Sequence, residues 1–488
     1  MGFRKTEIAV SYLEFSGLSV LLGIVASVFL GVFLVQGIMN PTVAKQYTMP
    51  GYPPYVELLG LLVMGGLELL LILASTWFAI SGLVKQNAVD LLRGESTANV
   101  KTHFYERTKL WKRMSLYSQT IVNNCVNDKR RVAGTLVGVI GYTALIVTAV
   151  TLQNNVARSF ERHYDKVYDF DSLVYLNKDV EDAEKNVAMA LYDHGISSSP
   201  VFMQRLQVRQ QDGTRAMTTL LVPTNESAFN KFYHIHPDEG GDASLPNDGV
   251  WISAAYGEHM GVHKGDKVTF TEFSGKTHEF TSLGSYGYYL IRHEFVMSKS
   301  AYEQAFGSVP VANALLVDSG EVDIANIQPE LNKVDGYDSF VNDYDRSSYS
   351  FNEMAQLLNT VVMIYLGLSA LMAVMVLLNL DVMFVDEKKR ELIVLMICGF
   401  SVKDAKAYIH RDSIVLTIIG VLLGLVLGAI MGGITVAALE PSSGFFLKGF
   451  NEIAAMIGVV GAFTFAIAVL LYALRRIPRF DLTDINRF

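Results

Sequence analysis

The chain has 488 residues, a formal charge of −8, 51% hydrophobic side chains and a mean hydropathy of +0.29. With 18% charged residues it is too apolar for an ordinary soluble protein and calls for membrane spans. Two Cys are too few to staple an external domain, and net acidity speaks against a nucleic-acid binder, which needs a clustered basic excess.

Six stretches reach the roughly 20 apolar residues that a bilayer core requires. They are Gly17 to Ile38, Leu58 to Val84, Val132 to Leu152, Leu357 to Leu380, Ser413 to Leu439 and Ile453 to Leu474. The first is too long for a cleavable signal peptide and lacks a small-residue cleavage site. Five carry no charged side chain; the second holds Glu68. An intramembrane acid is a candidate functional group, although an interhelical hydrogen bond near Gly65-Gly66 is the favoured role, and Asn359 and Asn379 read in the same way.

Lys and Arg gather in 85–131, in 381–412 and in the C-terminal tail, whereas the short loops 39–57 and 440–452 hold only Lys45 and Lys448. The positive-inside rule makes both termini cytoplasmic. The expected fold class is a six-span α-helical membrane protein with one large extracytoplasmic α/β domain. Its parts are a two-span hairpin (1–95), a cytoplasmic linker with an amphipathic helix (96–131), span three (132–152), the external domain (153–356) and a three-span unit (357–488). The external portion carries 16 Lys and Arg against 30 Asp and Glu, a net of −14. Cys125 and Cys398 both fall on the cytoplasmic side, where thiols stay reduced.

Within the external portion, strand-like SLVYL (172–176) precedes helically spaced Val180, Ala183, Val187 and Leu191, and VFMQRLQV follows. The order recurs as NALLV, EVDIANIQPELNKV and YDSFV, with β-rich sequence such as KVTFTEF between, which suggests a compact α/β domain. Asp238, Glu239 and Asp242, set among glycines, read as a solvated loop. Gly275-Lys276-Thr277 lacks the upstream Gly of a phosphate loop and reads as a polar turn between strands. His259 and His263 have the spacing of a metal pair, but Gly261 lies between them and no further ligand is evident. A helix end turning into a loop is the favoured reading. No nucleophile motif is present, so neither catalytic, cofactor nor metal residues are expected here.

An internal repeat follows from sliding the chain on itself. At an offset of 397, Gly2-Phe3 falls on Gly399-Phe400, and Gly23, Ser27 and Gly31 fall on Gly420, Gly424 and Gly428. Small residues every fourth position let helices approach closely in lipid. At an offset of 391, Asp90-Leu91 falls on Asp481-Leu482. The first two spans therefore repeat the last two. Met1 falls where Cys398 sits in the second copy, so the first copy is expected to lack its leading part. A companion chain or a missing N-terminal half would supply it.

Before the second copy lies DEKKRELIVLMICGF (386–400), with Leu392, Leu395 and Met396 at helical spacing. This is a short amphipathic helix on the cytoplasmic face, either anchored to the lipid surface by Lys388, Lys389 and Arg390 or docked on a partner.

RELIVLMICGF, the glycine-rich span after it and the layout of one span, a large external domain and three spans resemble the FtsX-like (MacB-type) permease family of ABC transporters. GVWISAAYGEHMGVHKGDKVTF resembles a recurring segment of that family's external domain. The resemblance implies that the elbow docks on a separate ATPase subunit, through Glu387, Arg390, Glu391, Leu392 and Leu395. It also implies that the chain transmits motion across the membrane. Walker motifs are missing, so ATP would be bound only by the partner. The alternative is a membrane-tethered sensor or scaffold whose external domain binds a ligand and regulates a partner without transport.

Overall fold

A computed structural model describes residues 5–46, 53–84, 129–209, 215–238, 243–387, 402–440 and 444–474, with isolated positions between 111 and 126. Expected docking residues Arg390, Glu391, Leu392 and Leu395 lie outside the described residues, as do Glu239 and Asp242. Glu387 is the last described helical residue before them. The chain forms two compact units, one of Met1–Val139, Ala370–Gly420 and Phe465–Phe488, the other of Ile140–Ser369 and Val421–Thr464.

The first unit opens with α1 (Lys5–Leu30), a π-helical turn (Gly31–Gln36) and α2 (Gly37–Gln46), then α3 (Leu58–Val84). Pro41, inside α2, has no N–H to offer the preceding turn. The Gln36 amide clasps Tyr55, accepting from its N–H at 2.8 Å and donating to its carbonyl at 2.6 Å, which ties the entry of α3 to the π turn. Packing of α1 on α3 is close at Gly65, where a Cβ would lie 3.3 Å from Ile24, and Thr76 meets Ser16 at 3.1 Å.

Three long helices follow in the rest of the chain: α4 (Lys129–Lys166) before the sheet domain, and α10 (Asp343–Glu387) and α11 (Val402–Leu439) after it, with α12 (Glu452–Leu474) last. Among the described residues, five helical stretches are long and apolar enough to cross a membrane: Thr6–Pro41, Leu58–Ser81, Val132–Lys166, Asp343–Val376 and Ile414–Leu439. In α12 the apolar stretch Glu452–Ala468 is shorter.

Between α4 and α10 run β1 (Ser172–Leu176), α5 (Ala183–Asp193), β2 (Ser197–Arg209), β3 (Arg215–Pro223), α6 (Glu226–Phe229), β4 (Val250–Ser253) and α7 (Ala254–Met260). Then come β5 (Lys267–Thr271), β6 (Thr277–Tyr286), β7 (His293–Val296), α8 (Lys299–Phe306), β8 (Ala314–Asp318), α9 (Ile324–Leu331) and β9 (Tyr337–Asn342). Each predicted strand-helix-strand passage is present, the first as β1-α5-β2 and the second as β8-α9-β9. All pairings among these four strands are antiparallel, in the spatial order β2-β8-β1-β9. That is a split β-α-β arrangement in which β8 separates β1 from β2. Helices α5 and α9 cover one face, burying Val187, Leu191, Ile324, Ile327 and Leu331 on Val174, Leu176, Leu315 and Val317.

The sequence between β2 and β8 is not a set of connecting strands but a second body. β2 pairs with β3, β3 with β7, β7 with β4, β4 with β6, β6 with β5, and β5 with β2 again. This ring of six strands leaves no free edge, which removes the usual liability of an exposed strand. Alternation along the first half of β6 directs His278, Phe280 and Ser282 inward; a register shift opposite Val250/Trp251 then reverses the faces, and Tyr286 joins Trp251 and Tyr233 in the cluster outside the ring. Phe270, Phe280, Phe295, Val250, Ile252 and Leu220 fill the interior. Strand β2 belongs to both bodies: residues 197–201 pair with β8, and 201–209 with β3.

Candidate functional site

The small-residue stripe on α11 is a helix contact. Cβ atoms added at Gly424 and Gly428 would lie 2.7 Å from Cβ of Thr143 and Val147 on α4, and one at Gly432 would lie 2.9 Å from Thr151. The same holds within the first unit for Gly420 against Val139, at 2.7 Å. These distances are too short for any side chain, so glycine sets the approach. Thr148 Oγ1 donates to the Gly428 carbonyl at 3.3 Å. In the first copy of the repeat, a Cβ added at Gly23 or Gly31 would meet nothing within 4 Å among the described residues, and Ser27 bonds back to its own helix at the Ile24 carbonyl, 2.8 Å away. Glu68 is exposed and lines an apolar groove of about 440 Å³ with Ser27, Ile24 and Gly65. It makes no hydrogen bond among the described residues. Asn359 does form a helix–helix bond, accepting from Gln153 Nε2 at 2.6 Å.

The sequence-predicted polar features of the sheet domain are structural. His259 lies in the last turn of α7, and Gly261, at φ 62°, ends that helix in the left-handed conformation, placing His263 in the following loop. Among the described residues no group of three or more His, Cys, Asp or Glu is arranged for a metal ion. Gly275, at φ 88°, turns the chain between β5 and β6, as expected for a polar hairpin. Asp238 is exposed in a turn, its N–H bonded to the Ser285 carbonyl at 3.0 Å.

A site that sequence reasoning did not find lies where the ends of α4 and α10 meet the strand ring. Glu294 on β7 is 2% exposed, and its Oε1 accepts from the hydroxyls of Tyr168 and Tyr233, each at 2.8 Å. Tyr288 reaches Oε2 at 3.5 Å, and Tyr286 donates to the Glu294 carbonyl at 3.1 Å. Arg292 forks onto Asp343, the first residue of α10, with both N–H···O distances 2.9 Å. The Arg292 Nε donates to the Tyr288 hydroxyl at 2.6 Å, and Tyr164 on α4 donates to the Asp343 carbonyl at 3.1 Å. Burial raises the carboxyl of Glu294 above its ordinary range and lifts the phenols of Tyr168, Tyr233, Tyr286 and Tyr288 well above theirs. All four tyrosines therefore remain hydroxyl donors. The network makes one rigid joint of two helix ends and a strand. One signal was legible: Tyr286-Gly-Tyr288-Tyr289 followed by Arg292-His293-Glu294 is too polar for a buried strand unless its groups answer each other.

A second tie lies between α11 and α12. Glu440, its side chain 1% exposed, receives Lys448 Nζ at 3.0 Å and the Phe446 N–H at 2.5 Å. The same ammonium reaches Glu258 on α7 and lies 5.3 Å from the Phe445 ring centroid. Asn155 and Asn451 bond side chain to side chain at 3.0 Å. The loop is thus pinned to both α4 and the strand ring.

Residues 363–479 match the family model of the FtsX-like permease C-terminal domain. The C-terminal part of this chain is an FtsX-like permease domain. The match takes in the second half of α10, the whole segment 388–401, α11 and α12, and so includes the glycine stripe and all the expected docking positions. The crystal structure of the periplasmic region of MacB from Actinobacillus actinomycetemcomitans aligns with 40% of this chain and 97% of that one, at 10% identity and a TM-score of 0.23. No curated protein matches the chain in sequence.

Proposed function

We propose that the chain is the permease subunit of an ABC transporter of the FtsX-like, MacB type, in which ATP hydrolysis by a separate ATPase subunit drives movement of the external domain. The observation that carries this reading is the family match over 363–479 on a chain whose α10 is one continuous helix of 45 residues, from the polar joint at Asp343 to Glu387. At 1.5 Å per residue it is about 67 Å long, roughly twice a bilayer core of about 30 Å. A stiff rod of that length is suited to carry displacement from a cytoplasmic elbow to the sheet domain.

In this reading α12 is the sixth span, both termini are cytoplasmic and 153–356 lies outside. Glu387, Arg390, Glu391, Leu392 and Leu395 contact the ATPase, and a companion permease chain or N-terminal half provides the second docking elbow. ATP binds only in the partner. The network around Arg292, Glu294 and Asp343 is where a shift of α10 is passed to the strand ring.

The test is a detergent pull-down of tagged chain, wild type beside Leu395→Asp, with mass spectrometry and an ATPase assay. Recovery of an ATPase subunit with wild type and its loss with the variant is the expected result. A well-folded wild type that brings down no ATPase would turn the reading to the membrane-tethered sensor.

A further inference from the structure

Beside the polar joint the sheet domain holds a half-open cavity of about 280 Å³. Its polar wall is Arg205, Thr219, Arg292, Glu294, Asp343 and Arg346; the apolar wall comes from β1 and Met203. Strand register explains the gathering. Arg205 on β2 is the cross-strand partner of Thr219 on β3, and Thr219 is that of Glu294 on β7. Their neighbours Leu206, Leu220 and Phe295 fill the ring interior, so this row stands on its outer face. Arg346 follows Asp343 by three positions and lies on the same side of α10.

The charges in this wall do not cancel. Asp343 is taken by the fork of Arg292, and Glu294 is enclosed by tyrosine hydroxyls. Arg205 and Arg346 are exposed, and neither is in an ion pair among the described residues. The acids closest to them in sequence or lining form no ion pair with them among the described residues. Glu272, in the groove adjoining Arg205, accepts from His278 at 2.7 Å and from Ser274 at 2.8 Å. Asp345 is exposed at the capped start of α10. Two unpaired guanidinium groups around one cavity are unexpected on a portion with 30 acids to 16 bases, where partners abound. Guanidinium presents a planar fork of donors that fits phosphate and carboxylate oxygens.

We propose that this cavity binds an oxyanion, a phosphate or carboxylate group, held between Arg205 and Arg346 above the Arg292–Asp343 pair. The site is independent of whether an ATPase docks at 387–395. Bound there, the anion bridges β2 of the strand ring to the first turn of α10, and so adds a contact across the joint. The cavity has room for the anion and its water but not for an acyl chain, so a lipid would present only its headgroup.

The experiment uses the full chain, wild type and R205Q/R346Q, in neutral detergent with inorganic phosphate as probe, binding being read by calorimetry. Wild type is expected to bind, and the double variant to bind at least tenfold more weakly. R205K/R346K, which retains both charges, is expected to recover part of the affinity. If the double variant does not fold, R205Q and R346Q singly are each expected to weaken binding. A second arm places the chain in nanodiscs of phosphatidylcholine with or without phosphatidylglycerol and reads hydrogen exchange at 203–205, 292–294 and 343–346. Protection by phosphatidylglycerol in wild type and not in R205Q/R346Q assigns the anion to a lipid headgroup. Binding of free phosphate alone assigns it to a soluble source. No binding of either probe by wild type, or equal binding by wild type and R205Q/R346Q, overturns the proposal.

Discussion

Two buried residues in one short strand make opposite demands on pH. His293 is 4% exposed beside the Tyr256 ring, at 5.6 Å, and burial together with nearby His259 holds its imidazole down to about 4. An unfolded imidazole protonates near pH 6.5, so between 6.5 and 4 the unfolded chain binds the extra proton. Stability due to His293 is complete above that window and declines as pH falls through it, by up to about 3 kcal/mol. Glu294, raised by burial, acts the other way: its contribution is present at low pH and declines as pH rises through its folded value. Melting temperatures of the full chain from pH 7.5 to 4 should therefore fall less for His293→Phe than for wild type. Parallel curves would refute the assignment. At the joint, Asp343→Asn leaves the Arg292 guanidinium facing a neutral amide. Because Arg292 is 31% exposed, the cost is set at the lower end of that for a broken buried pair, about 3 kcal/mol, read as a loss of denaturant stability.

Among the elements, the contact of α11 with α4 rests on absent side chains. A Cβ at Gly428 would sit 2.7 Å from Val147 Cβ and 3.0 Å from the Ala144 carbonyl, both on a helix with no freedom to withdraw locally. Gly428→Val is expected to destabilise by about 1–3 kcal/mol, as overpacking does. Gly31→Val, at the matching position of the repeat, has nothing within 4 Å to meet and is expected to leave the melting temperature of the isolated chain unchanged. Equal losses in the two variants would show that the two copies pack alike. The strands are governed differently. Closing the ring joins β5 to β2 across some sixty intervening residues, and only side chains that alternate in and out along every strand permit that closure.

For the whole molecule, topology is the first thing to measure. With Cys125 and Cys398 replaced by Ser, Ser274→Cys in the β5–β6 turn should react with a membrane-impermeant maleimide in intact cells, and Lys403→Cys should react only after permeabilisation. The reverse pattern would invert the proposed orientation and remove the docking elbow from the cytoplasm. Both probes avoid the polar joint and the glycine stripe, so labelling reports exposure alone.

Length, hydropathy and spacing alone determined the apolar helices, both strand-helix-strand passages, the polar turn at Gly275 and the small-residue stripe, because each is a local pattern read within some twenty residues. SLVYL is β1 to the residue, and Val187 and Leu191 bury as their spacing predicts. Tertiary structure alone decided that β8 lies between β1 and β2, that the intervening strands close on themselves, and that Tyr168, Tyr288, Arg292, Glu294 and Asp343 share one joint. Tyr168 and Asp343 stand 175 positions apart in sequence, and no periodicity relates them. Strand register brings them together, and once buried they are stable only because each polar group finds a partner among the others.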